Sequence, residues 1–211
     1  MELYFSPLAC SMSARIALYE AGVDATFTYV ETRTKTLGDG SDFLGINGMG
    51  QVPVLRTDNG DLIAENPVVL QYIADAYPGS GLAPHGGLER VRLQQWLNFI
   101  TSELHKLVFI SLLDAKAPQG AKDYARAKAG PILDYLNAQL QGREFLLDRF
   151  TVADAYLVTV LNWAAPCGID LAQWPNIQAY HAGLRARPSV ARAMAEEFAL
   201  YQEQDKRRKA A

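Results

Sequence analysis

Over the first 77 residues, short apolar runs alternate with segments of helical period, the signature of an α/β unit. Leu3-Tyr4-Phe5 reads as a short buried strand. It is followed by a helix over Ser11 to Ala21, with Met12, Ile16 and Tyr19 on one face and Gly22 where a left-handed closing residue is wanted. Phe27 to Val30, rich in aromatic and β-branched residues, predicts a second strand. Val54-Leu55-Arg56 and Leu62-Ile63-Ala64 flank an Asn-Gly turn within Thr57 to Asp61, a hairpin signal. A helix then starts with Asn66 as N-cap and Pro67 at the first helical position, and runs to about Tyr77. The order is βαβ, an irregular stretch, then ββα.

Residues 78 to 87 hold four Gly and two Pro and predict a linker. Beyond it every pattern is helical: Leu88 to about Asp114, Ala121 to Leu140, a helix to about Ala165, Gln173 to Arg187, and Val190 to Tyr201 after Pro188. Thr151-Val152-Ala153-Asp154 sets a carboxylate three residues after a Thr N-cap, a capping-box variant that starts the third of these. The expected division is an α/β domain over 1–77, a linker over 78–87 and an all-α helical domain over 88–211. The basic cluster Lys206-Arg207-Arg208-Lys209 reads as a solvated helix end or frayed terminus.

Composition narrows the classes. Of 211 residues, 49% are hydrophobic and 20% charged, which is ordinary for a globular chain. With 20 Lys and Arg against 23 Asp and Glu the net charge is -3, so no broad basic surface for nucleic acid is expected. No apolar run approaches the roughly 18–20 residues of a membrane span. Pro7-Leu8-Ala9-Cys10 has the look of a lipoprotein cleavage site but lacks the basic and apolar segments before it, so Cys10 is expected to stay in the mature protein. Two cysteines make no disulfide framework, and a reducing cytoplasm is the expected compartment.

Cys10 stands at a strand-to-helix junction. There a thiol is either a small buried apolar group or a nucleophile whose thiolate is favoured by the helix dipole. Cys167, after Pro166, reads as inert. Pro53 after Val52 is either an edge-strand proline or, in cis form, a device that turns the Val52 backbone toward an extended ligand. Glu65-Asn66-Pro67 is either a plain cap or a headgroup site for an α-amino acid, with Glu65 for the ammonium and, since Pro67 has no amide, the Asn66 and Val68 amides or the Asn66 side chain for the carboxylate. Asn98, Ser102 and His105 recur at i, i+4 and i+7 on an otherwise apolar helix, as a solvent face or a site in which His105 serves as donor or base. Three histidines, at 85, 105 and 181, and two cysteines show no metal-ligand spacing.

With Leu3-Tyr4-Phe5 leading to Ala9-Cys10-Ser11, Arg33-Thr34-Lys35, Gly50-Gln51-Val52-Pro53, Gln71-Tyr72-Ile73-Ala74-Asp75, Trp96-Leu97-Asn98-Phe99, Ser102-Glu103-Leu104-His105-Lys106 and Phe150 to Leu157, the chain resembles the bacterial beta-class glutathione S-transferases over essentially its whole length. The resemblance implies a thioredoxin-like N-terminal domain, an all-helical C-terminal domain and a homodimer. It implies glutathione as co-substrate with no prosthetic group, and a hydrophobic electrophile as second substrate. Cys10 would lie at the glutathione sulfur and form a mixed disulfide with it. Lys35 and Gln51 would take the glycine carboxylate, Val52 the cysteinyl backbone ahead of a cis Pro53, and Glu65 with Asn66 the γ-glutamyl end. Asn98, Ser102, Glu103, Leu104 and His105 would complete the pocket; Phe109, Leu112 and Leu113 read equally as a lining for the electrophile or as core. Asn66-Pro67 and Gly48-Met49 depart from the family pattern, which leaves a non-catalytic ligand carrier or interaction module as the alternative.

Overall fold

The structure is a computed structural model that describes residues 1–210, with the side chains of Arg207, Arg208 and Ala210 excepted. The chain divides into two compact units: Met1–Ala83 together with the residues from Arg187 on, and Pro84–Ala186.

The first unit is built on a mixed five-stranded sheet in the order β3-β2-β1-β4-β5, with β1 (Glu2–Phe5), β2 (Thr26–Glu31), β3 (Thr36–Leu37), β4 (Val54–Arg56) and β5 (Leu62–Ala64). Only β1 and β2 pair in parallel, Leu3 opposite Phe27. β1 meets β4 antiparallel with Tyr4 opposite Val54, and β4 meets β5 with Leu55 opposite Ile63. The two-residue β3, which lies in the stretch read as irregular, adds an edge through Val30 and Leu37. It is too short for its period to register in the sequence.

Helix α1 (Met12–Glu20) has seven consecutive buried residues, Met12 to Leu18. A helix covering a sheet with one face would show alternating burial. This one is enclosed because it packs against α2 (Asn66–Ala76) and also α8 (Pro188–Ala210). On the opposite face of β1, Tyr4 packs with Val30, Phe43 and Val54. The sheet with its helices is a thioredoxin-like unit.

The second unit holds α3 (Gly87–Phe99), a π-helical stretch (Ile100–Ile110), α4 (Ser111–Leu113), α5 (Gln119–Gln139), α6 (Val152–Leu161) and α7 (Pro175–Arg185). Every residue of α6 is buried, so it is the unit's central helix. Asp154 receives hydrogen bonds from Thr151 N (2.8 Å) and Thr151 Oγ1 (2.9 Å) at its head. The anticipated box therefore forms with the Thr hydroxyl donating to the carboxylate.

Three expectations need correction. The segment 78–87 is not simply a linker: Pro78–Ser80 forms a 3₁₀ turn, Leu82 and Ala83 are buried, and the boundary falls after Ala83. The last helix groups with the α/β unit rather than with the helices before it. Arg187 clamps Glu20 through Nε (2.7 Å) and Nη2 (2.6 Å), Ser189 Oγ also donates to Glu20, and Gln204 reaches Tyr29 and Glu31 of β2. Pro188 opens this helix rather than separating two, because its ring fits a first turn where no amide partner is needed. The helix end carries Lys206 to Lys209 as anticipated, with the Arg207 and Arg208 side chains outside the described residues.

Candidate active site

β1 ends at Phe5, and the chain turns through Ser6 to Ser11 before α1 begins. The turn is tied by the Ser6 carbonyl, which accepts from Ala9 N (3.1 Å) and Ser11 Oγ (3.2 Å). Cys10 lies one residue before the cap residue Ser11 and is 9% exposed; its thiol donates to the Val52 carbonyl at 3.4 Å. The Val52–Pro53 bond is cis. The Cys10 carbonyl accepts from Ser13 N (3.1 Å) and Ser13 Oγ (2.6 Å), and Ser13 Oγ in turn accepts from Asn66 Nδ2 at 3.0 Å. Neither cysteine is in a disulfide, and burial pushes the Cys167 thiol up.

The structure corrects the start of α2. Glu65, not Asn66, is the cap residue, at φ 66°, and Asn66 is the first helical position with its side chain buried against Ser13. The Glu65 carbonyl accepts from Val68 N and Val69 N, both at 2.9 Å. Pro67 has no N–H, so the Asn66 amide is the donor left at this helix start.

Lys35 is also in the left-handed region, at φ 61°, and its Nζ donates to the Gly50 carbonyl at 2.8 Å. Gly50 has φ 58°, and a Cβ there would stand 2.6 Å from Lys35 Cδ, so only glycine lets the lysine lie across this turn. Asn47 closes the loop through Nδ2 to the Gln51 carbonyl (2.8 Å), leaving the Gln51 side chain exposed. Cys10, Lys35, Gln51, Val52, Glu65 and Asn66 thus all belong to the first unit; Lys35 is hydrogen-bonded to Gly50, the chain Gly50-Gln51-Val52 leads on, and hydrogen bonds run from Val52 through Cys10 and Ser13 to Asn66. Two non-glycine residues of this group sit at positive φ, where side chains crowd the backbone, a common mark of functional positions.

The residues anticipated from the helical unit do not make one stripe. Asn98 and Ser102 are exposed and bond their own helix, Asn98 Nδ2 to Gln94 O (2.8 Å) and Ser102 Oγ to Asn98 O (3.1 Å); Ser102 Oγ also lies 2.8 Å from Glu103 Oε1. His105 is 6% exposed. The π-helical stretch explains the split, since i→i+5 pairing rotates the residues after Ile100 away from α-helical extrapolation. Leu104 has no exposed surface, so its side chain is core. His105 Nδ1 lies 2.6 Å from Tyr156 Oη, with its ring edge-on to Trp163 at 5.0 Å. Burial, assisted by the Lys106 charge, lowers its pKa to about 4, so it is a neutral imidazole at neutral pH.

Phe109 is buried against Trp163 at 6.0 Å, Leu112 is half-buried and Leu113 exposed. A concavity of about 380 Å³ within this unit lies elsewhere, between Trp96, Phe99, Tyr135, Arg92 and Arg143.

Ser13, Asn47 and Tyr156 hold the candidate residues in place and were not legible as such. Ser13 is three residues after Cys10, where a hydroxyl can bond back to the Cys10 carbonyl, and that spacing is the one signal available. Tyr156 carries none, being 51 residues from its partner.

Comparison with known proteins matches the same two regions. The glutathione S-transferase N-terminal domain model covers residues 9–76 and the C-terminal domain model residues 99–188. The chain is 38% identical over 199 residues to glutathione S-transferase GstA of Escherichia coli O157:H7, spanning 93% of this chain and 98% of that one. Among solved structures, a sphingomonad glutathione S-transferase complexed with glutathione is 41% identical with a TM-score of 0.89, over 93% of this chain and 98% of that one. The beta-class enzyme of Sphingomonas chungbukensis is 40% identical with the same TM-score and coverage. The chain belongs to the glutathione S-transferase family, a family of transferases. Its branch is the bacterial beta class.

Proposed function

We propose that this protein binds glutathione along the Lys35-to-Asn66 path and transfers its sulfur to an electrophilic carbon. The observation that carries this reading is the Cys10 thiol on the Val52 carbonyl ahead of cis Pro53, with Lys35 at one end of the path and Glu65 and Asn66 at the other. An extended tripeptide suits that line. Its glycine carboxylate pairs with Lys35 and Gln51, its cysteinyl main chain with Val52, and its γ-glutamyl ammonium and carboxylate with Glu65 and the Asn66 amide. The resemblance also implies parts for Asn98, Ser102, Glu103, Leu104 and His105.

Cys10 serves exchange chemistry in this reading. Its thiolate attacks the glutathione sulfur of a mixed disulfide between glutathione and another thiol, forming the Cys10–glutathione disulfide and releasing that thiolate; a glutathione thiolate then attacks the glutathione sulfur, giving glutathione disulfide and restoring the Cys10 thiolate. The working form is a homodimer in a reducing cytoplasm.

Isothermal titration with millimolar glutathione tests the binding, and absence of heat ends the proposal. Cys10→Ala is expected to lose at least about 90% of thiol-disulfide exchange while keeping most conjugation to an activated aryl halide. Equal loss of both contradicts the assigned role of Cys10. A non-catalytic carrier would bind glutathione without turning over any electrophile.

A further inference from the structure

The turn that carries Cys10 is held by a residue 189 positions away. Leu8 sits at φ 60°, a left-handed conformation that a leucine side chain disfavours. Its main-chain N–H donates to Glu197 Oε2 at 2.7 Å. Glu197 belongs to α8 and is 0% exposed. Its other oxygen, Oε1, lies 3.0 Å from Arg15 Nε but without the alignment of a hydrogen bond. Arg15 comes from α1, the helix that starts directly after the Cys10 turn. Its guanidinium lies over the rings of Phe5 (4.2 Å) and Phe27 (4.1 Å), and Nη1 reaches Glu196 Oε2 at 3.0 Å.

Three buried polar atoms of this group, Arg15 Nε, Arg15 Nη2 and Glu197 Oε1, make no hydrogen bond. A buried ion pair with unsatisfied atoms adds little stability over apolar side chains of the same size, so its presence asks for another task. The one well-made hydrogen bond of the Glu197 carboxyl is to Leu8, and Leu8 is two residues from Cys10.

We propose that Glu197 is a positioning residue for the Cys10 thiol. By holding the Leu8 amide it fixes the Pro7–Cys10 turn so that Cys10 Sγ rests on the Val52 carbonyl, and Arg15 keeps the carboxyl aimed at Leu8. The proposal rests on the reading of Cys10 as the working thiol, but its first test needs no glutathione.

In the full-length protein, the Cys10 alkylation rate with iodoacetamide, mapped by peptide mass spectrometry, should rise about fivefold or more in Glu197→Ala as the thiol leaves the Val52 carbonyl. KM for glutathione should rise by about fivefold with kcat within about twofold. Glu197→Gln keeps an oxygen for Leu8 N–H and should return both values to within about twofold of the parent. The double variant Arg15→Met with Glu197→Leu replaces the pair by apolar volume and leaves the Leu8 amide unanswered, so it should alkylate as fast as Glu197→Ala even where the single variant fails to fold. Parental alkylation rates in either Glu197→Ala or the double variant, whatever the change in melting temperature, overturn the proposal, as does a folded Glu197→Gln that fails to restore them. Loss of glutathione binding in the parent would remove the KM measurement and the proposed activity, yet leave alkylation to decide the role of Glu197.

Discussion

Asp154 and Glu197 are both fully buried carboxylates, one in each unit, and their surroundings are opposite. Asp154 takes four hydrogen bonds: Oδ1 accepts from Leu146 N (2.8 Å) and Tyr180 Oη (2.7 Å), and Oδ2 from Thr151 N and Oγ1. Burial still pushes its pKa up, and raises that of Tyr180 well above the usual range. Glu197 has the Leu8 amide on Oε2 and, on Oε1, only Arg15 Nε at 3.0 Å and out of hydrogen-bond alignment. Burial raises it to about 8, opposed by Arg15 and the Leu8 amide. A saturated carboxylate of the first kind is a fold-organising device. An undersatisfied one of the second kind costs stability and is better explained by what it positions.

The largest expected effect is at Asp154. Asp154→Ala strands Leu146 N, Thr151 N and the Tyr180 hydroxyl in the core and should cost about 4–5 kcal/mol in urea unfolding. A loss below about 1 kcal/mol would erase the contrast. Next is the pair in the first unit: Arg15→Met or Glu197→Leu alone should cost about 3 kcal/mol, but the two together should recover most of that loss in the same melt. The analogous pair Asp154→Asn with Tyr180→Phe should show no recovery, because three buried donors to Asp154 remain there, whereas the other pair leaves only the part-buried Leu8 amide. Thr151→Ala, which removes one of the four donors to Asp154, should cost about 1 kcal/mol in urea unfolding.

The pH profile tests the same burial without any substitution. His105 and His181 are both lowered to about 4 by burial, so the unfolded chain binds protons more readily, and stability should fall as pH drops from about 6.5 toward 4. Each contributes about 2 kcal/mol after allowance for screening. Glu197 works the other way: its folded pKa is raised, so its contribution declines as pH rises from about 4.3 to 8. Thermal melts should therefore peak near pH 6.5, and Glu197→Gln should flatten the alkaline decline. A decline unchanged by that substitution would show that Glu197 stays ionised beside Arg15 throughout.

The difference between these acids also explains what could be read beforehand. Thr151 and Asp154 interact three residues apart, so their box was legible as a helix start. Cys10 was legible because a strand, a turn and a helix follow within twenty residues. Glu65 as cap and Lys35 against Gly50 depend on positive-φ backbone that side-chain periodicity does not encode. The split between Ser102 and His105 depends on a π-helical stretch whose apolar pattern reads as α. Arg15 with Glu197 was illegible for a plainer reason: 182 positions separate them, and an arginine beside apolar residues on α1 looks like a surface charge.

The membership of α8 in the first unit bears on how the protein is made. Ribosomes deliver roughly 5–20 residues per second, so the stretch of about 100 residues from Pro84 to Ala186 emerges over about 5–20 s after the sheet strands have left the exit tunnel. During that interval all of the helical unit's chain becomes available, while Arg15 still lacks the carboxylate it will face and α1 lacks one of its covers. The α/β unit is thus first to be synthesised and last to be completed, and a nascent chain stalled before Arg187 presents a half-covered α1 to chaperones.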